Sequence, residues 1–125
     1  MREHRRLNGE WVQTYSNEDG VENPAEDIGL GTISKFDDGV FTVRTPGNEL
    51  VLAGSYTIRP NTSPPQIDWT DSVGSDTGKT FSSIYKLTET ALVFCAVDEG
   101  MARPTSFEPK KGHTIREFSR VNKNA

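Results

Sequence analysis

The stretch Glu49-Leu50-Val51-Leu52-Ala53-Gly54-Ser55-Tyr56-Thr57-Ile58-Arg59 decides the fold. Leu50, Leu52, Gly54, Tyr56 and Ile58 occupy alternate positions, and a period of two puts alternate side chains on one face of an extended strand. No helical period of 3.6 residues fits the same spacing. Outward from this segment, turn residues recur at short intervals, as in Asp37-Asp38-Gly39, Pro46-Gly47-Asn48, Asp98-Glu99-Gly100 and Lys110-Lys111-Gly112. The β-branched and aromatic runs between them predict strands near 9–16, 28–36, 40–45, 49–59, 66–71, 79–87, 91–97 and 113–121, with a short extra piece around 105–107. Leu92, Phe94 and Ala96 alternate with Val93, Cys95 and Val97, so that strand is apolar on both faces. Hairpin-length links predict an antiparallel meander, and residues 21–27, where Asn23 can cap, are the one place for a short helix. Some eight strands in a chain of this size form a sandwich or a closed barrel, and closure leaves no exposed sheet edge.

Composition bounds the rest. The chain has 125 residues, 14 Lys+Arg against 18 Asp+Glu and a net charge of -4, which argues against a nucleic-acid partner. One domain over 7–121 is expected, between a basic tail at 1–6 and a short tail at 122–125. No apolar run is long enough to span a bilayer, and Met1-Arg2-Glu3-His4-Arg5-Arg6 leads into the first strand without the apolar core of a secretory signal, so the expectation is a cytoplasmic protein without a membrane partner. Cys95 is the single cysteine, which suits a reducing compartment, and with only His4 and His113 beside it no metal site is expected. Gly78-Lys79-Thr80 has the ending of a phosphate loop but lies between strands rather than ahead of a helix, so it reads as a hairpin loop and no cofactor is expected.

Gly9-Glu10-Trp11 on the first strand resembles the Gly-x-Trp element of lipocalins. The resemblance implies that Trp11 closes the barrel base and that a basic residue near the last strand, Arg116 or Arg120, packs over it. The ordered set Gly54-x-Tyr56, Ile67-Asp68, Ile84-Tyr85-x-Leu87, Leu92-x-x-Cys95 and Arg103-Pro104-x-x-Phe107 is similar to an uncharacterised lipocalin-like small-domain family of bacteria, known mainly from planctomycetes. It covers the chain from about Leu7 to Val121 and implies an all-β, eight-stranded antiparallel barrel of the calycin type, wound up and down. Many relatives in that family resemble exported proteins or sit beside other domains, whereas this chain begins almost at its first strand, from which a stand-alone intracellular role is expected.

A barrel of this size is either filled by side chains or holds one small ligand. Asp68, Tyr85, Cys95 and Arg103 are polar residues embedded in or beside apolar runs, and all four can face one cavity. A buried Asp68 needs a cation such as Arg103; alternatively Asp68 faces solvent and Arg103 bonds to backbone carbonyls. In an enzyme, Asp68 is the general base or substrate anchor, Tyr85 the hydrogen-bond donor or general acid, and Arg103 the anion holder. For a ligand, Trp69, Tyr56, Phe41, Tyr85, Cys95 and Arg103 form the binding set, with Tyr15, Phe81, Phe94 and Phe118 as further aromatic lining or plain core. Cys95 as a nucleophile is disfavoured because no histidine neighbours it in sequence, and His113 is expected at a barrel mouth in solvent.

Three functions fit. The leading one is a small-molecule-binding barrel for an apolar or amphipathic molecule. The second is a metal-free, cofactor-free cyclase, isomerase or lyase working inside the cavity. The third is a filled-barrel interaction module, with residues 61–65 and 98–103 as its contact loops. A monomer or weak homodimer is expected for each.

Overall fold

The computed structural model describes residues 2–24 and 31–121. A helix, α1 (Arg2–Leu7), precedes nine strands: β1 (Gly9–Glu18), β2 (Val21–Glu22), β3 (Ile33–Asp37), β4 (Val40–Arg44), β5 (Leu50–Arg59), β6 (Gln66–Asp71), β7 (Thr80–Leu87), β8 (Ala91–Ala96) and β9 (Thr114–Arg120). Each barrel strand pairs antiparallel with the next, and β1 pairs with β9 from Trp11↔Arg120 to Glu18↔Thr114, closing an eight-stranded up-and-down barrel. β2 is the extra strand, paired with the end of β1 at Asn17↔Glu22 and Glu18↔Val21.

Register fixes what points inside. Trp11, Phe36, Phe41, Tyr56, Ile58, Ile67, Trp69, Tyr85, Leu92 and Phe118 form one buried cluster together with Leu7 from the helix. The β1–β9 register slips between Gln13 and Tyr15, so Thr14 and Tyr15 together face Glu117. Such a bulge inserts one residue and resets the alternation. Gln13 and Ser16 therefore both point inward, and Tyr15, which strict alternation from Trp11 would place in the lining, stands on the outside.

Six residues are too few for an isolated helix, and α1, which occupies the segment expected to be a tail, is held by the barrel it closes. Leu7 is fully buried, Trp11 Nε1 donates to its carbonyl at 2.9 Å, and the Tyr85 hydroxyl donates to Glu3 Oε2 at 2.7 Å. Arg120 completes the base: its guanidinium lies 4.2 Å from the Trp11 ring centre and donates to the carbonyls of Arg6, Asn8 and Glu89. Of the two cations expected over Trp11, Arg120 takes that place. Gly9 has φ +123°, and a Cβ there would lie 3.0 Å from Arg120 Nη1, which explains a glycine two residues before the tryptophan.

Residues 97–113 fold back over the outer wall. Phe107 packs on outward-facing Ile84, Cys95 and Ile115, forming a second small core outside the barrel. This is why β8 is apolar on both faces. No strand forms over 105–107, and Val21 and Glu22 enter β2 rather than a helix. The remainder of the expected helix at 25–27 and the start of the strand expected at 28 lie outside the described residues.

Candidate functional site

The barrel interior has two unlike halves. Around α1 it is occupied by buried Leu7, Trp11 and Tyr85, and Trp69 lies across its middle, with ring centres of Phe36, Phe41, Tyr56 and Phe94 at 5.8, 5.5, 5.9 and 5.0 Å. Beyond this aromatic floor is a cavity of about 420 Å³, within the ~300–1,000 Å³ typical of small-ligand pockets. Its walls combine Val43, Leu52, Phe81, Phe94 and Phe118 with a few polar side chains.

Three of those polar groups come from inward strand positions in phase with the aromatics. Gln13 follows Trp11 by two residues, Asp71 follows Trp69, and Arg116 precedes Phe118. Arg116 Nη1 donates to Gln13 Oε1 at 3.4 Å, which leaves the Gln13 amide nitrogen as its outer group. Gln13 and Trp69 are 4% and 8% exposed, and neither Gln13 Nε2 nor Trp69 Nε1 meets an acceptor. A buried donor left without an acceptor costs on the order of 1–3 kcal/mol. Toward the rim stand Glu18, Asp71, Asp76 and Asp98. Burial, with Asp76 adding to it, pushes the Asp71 carboxyl above the usual carboxylate range.

The structure separates the four residues expected to share a cavity. Tyr85 points inward but into the half around α1, where burial and its bond to Glu3 push its hydroxyl above the usual phenol range. Asp68 pairs across β6–β7 with Ser82 on the outer face. Arg103 Nη1 stands 2.7 Å from Asp68 Oδ1 and directs its hydrogen bond to the Ser83 carbonyl at 2.8 Å, while Arg59 reaches Asp68 Oδ2 at 3.3 Å. Both weighed arrangements of Arg103, the ion pair and the carbonyl bond, are therefore present, and together they clamp the 97–113 segment to the wall. Arg103→Ala is expected to cost about 2 kcal/mol, since a hydrogen bond from a charged group and half of a partly buried ion pair go together. Urea denaturation measures this, and a loss below about 0.5 kcal/mol would assign the anchoring to Phe107 instead.

Cys95 also lies outside the barrel, fully buried, with its Sγ 3.4 Å from His113 Nδ1. His113 is 7% exposed rather than solvated. The pairing resembles a nucleophile with its base, but the proton is in the wrong place. The same Nδ1 lies 2.8 Å from the Glu108 carbonyl, which can only accept, so Nδ1 carries the hydrogen and cannot take one from the thiol. Burial pushes the thiol up to about 11 from a usual 9.0. Two units leave about 100-fold less thiolate at pH 8, so alkylation of folded protein should be at least that much slower than of urea-unfolded protein. Comparable rates would show an accessible, activated thiol.

Of the expected ligand-binding set, Trp69 and Phe41 line the cavity; Tyr56 lies beneath it against Trp69, and Tyr85, Cys95 and Arg103 are elsewhere. Gln13, Asp71 and Arg116 are among the polar lining residues that sequence reading passed over as ligand contacts. Comparison with family models, with curated proteins and with solved structures gives no match to this chain.

Proposed function

We propose that this protein is a small-molecule-binding barrel whose ligand, apolar or amphipathic, lies on the aromatic floor of the upper cavity. The observation that carries this reading is the contrast between the halves: a core that buries Leu7, Trp11 and Tyr85 stops at Trp69 and leaves about 420 Å³ above it. Filling that space would bring further apolar contact, so its persistence supports a use for it. Neither a catalytic residue set nor a filled interaction module draws comparable support, because Asp68 and Arg103 are committed to holding residues 97–113 and the barrel is only half filled. A cytoplasmic, bacterial protein of the lipocalin-like family remains the accompanying proposal; among the described residues no helix is long and apolar enough to cross a membrane.

Titration with aminoanthracene, an uncharged fluorescent probe, tests the reading. Saturable binding of one probe per chain is expected, and it should be lost in Leu52→Trp, which places an indole in the cavity, with the melting temperature retained. A probe bound equally by both proteins, or by neither, overturns the proposal.

A further inference from the structure

We infer that the cavity selects an uncharged ligand bearing hydrogen-bond acceptors on a flat apolar frame, such as an aromatic ketone or lactone, which meets the N–H groups of Gln13 and Trp69. This rests on the binding-barrel reading above and narrows it to a chemical class.

Two observations converge. The first is the pair of donors. The indole nitrogen of Trp69 can only donate, and the Gln13 amide is oriented by Arg116, whose guanidinium can only donate and so claims the amide oxygen. Both residues line the cavity, both are more than nine-tenths buried, and both nitrogens lack an acceptor. The complement is an acceptor on the occupant, and because both nitrogens are covered, it is reached by small turns of the Gln13 amide and of the Trp69 ring. Trp69 contributes its ring face to the same occupant, which favours a flat frame.

The second observation is the charge around the route in. Glu18, Asp71, Asp76 and Asp98 line the cavity, against Arg116 as the one cation in the described lining. Arg116 is already engaged, with Gln13 among its partners. A carboxylate entering would meet four carboxylates against the single cation Arg116 in the described lining, a net unfavourable field. An ammonium would suit the rim but would leave both N–H groups facing a group with no acceptor. An uncharged acceptor satisfies the donors and is indifferent to the rim.

Four naphthalenes that differ only in their substituent separate these cases, each read by displacement of aminoanthracene: acetylnaphthalene, ethylnaphthalene, naphthoate and naphthylmethylammonium. Acetylnaphthalene should bind about tenfold more tightly than ethylnaphthalene, the worth of about one buried hydrogen bond, and naphthoate should bind worst. Gln13→Leu and Trp69→Phe should each lower the ratio of ketone to hydrocarbon affinity, the quantity read, whatever either change does to the affinity for both. Gln13→Glu, which removes the NH2 donor and keeps a partner for Arg116, serves if Gln13→Leu fails to fold. Tightest binding of naphthoate or of the ammonium, or equal binding of ketone and hydrocarbon, overturns the inference and leaves the binding barrel intact. Failure of wild-type protein to bind aminoanthracene or any naphthalene overturns both.

Discussion

Trp11→Ala is expected to remove at least 4 kcal/mol of folding stability, near the upper part of the ~3–5 kcal/mol range for a buried Trp or Phe cut to alanine. Trp11 is fully buried at the barrel base, and three separate parts of the chain depend on it. Its indole N–H satisfies the Leu7 carbonyl at the end of the helix, its ring carries the Arg120 guanidinium, and its body fills the space between Leu7 and the first barrel layer. The substitution leaves a void that the closed strands cannot collapse into, and it leaves Arg120 without its ring. Against a total of ~5–15 kcal/mol for a domain, such a loss brings the protein close to its unfolding threshold. Equilibrium urea unfolding gives the value. Trp11→Phe, which keeps most of the apolar volume, should lose roughly half as much. A loss under 2 kcal/mol for Trp11→Ala would mean that α1 and Arg120 hold the base without the indole.

Gly54→Ala is the second large effect. Gly54 is an inward position of β5, paired with Phe41 on one side and Asp71 on the other. A Cβ there would collide with the Thr70 carbonyl oxygen and with the edge of the Phe41 ring at 2.8 Å. The ring can swing but the carbonyl belongs to the sheet, so β5 and β6 would have to part. Overpacking of a tight core costs ~1–3 kcal/mol, and contact with backbone belongs at or above the top of that range. The displaced Phe41 would also move into the cavity, so aminoanthracene binding should weaken in whatever fraction folds. Gly47→Ala is the control, because a Cβ there meets only Thr45 Oγ1 at 3.7 Å. Its stability should stay within about 0.5 kcal/mol of wild type, and a loss at Gly54 no larger than at Gly47 would rule out the collision.

The strands were legible because β5 alternates without interruption over Leu50, Leu52, Gly54, Tyr56 and Ile58, and because turn residues mark nearly every strand end; closure into a barrel rather than a sandwich rested on the cost of open edges and on the resemblance. That a cation near the last strand packs over Trp11 followed from the resemblance in Gly9-Glu10-Trp11, which left Arg116 and Arg120 open; the structure picks Arg120. The site was less legible, and the period of two shows why. Asp68 and Trp69 are neighbours on one strand and cannot share a face, so assigning both to the cavity conflicts with the alternation that identified the strand. The same holds for Cys95 beside Phe94. Gln13, Asp71 and Arg116 stand in phase with buried aromatics, and that phase was the available signal for them. Two features were beyond pattern reading. The bulge at Thr14, which turns Tyr15 outward, depends on how β9 meets β1 across the whole chain. The contact between Cys95 and His113 depends on residues 97–113 folding over an outer wall that, in a barrel, normally faces water.

The seam between β1 and β9 also sets the order in which the molecule can be completed. The pairs of neighbouring strands from β3 to β9 form between segments close in sequence, whereas Trp11 must wait for Arg120. A chain emerging from the ribosome therefore makes its first barrel strand long before the partner that finishes it, and until β9 arrives that strand keeps one bare row of backbone donors and acceptors. Closure joins the oldest and newest parts of the barrel, and without β9 the meander has two bare edges, β1 and β8.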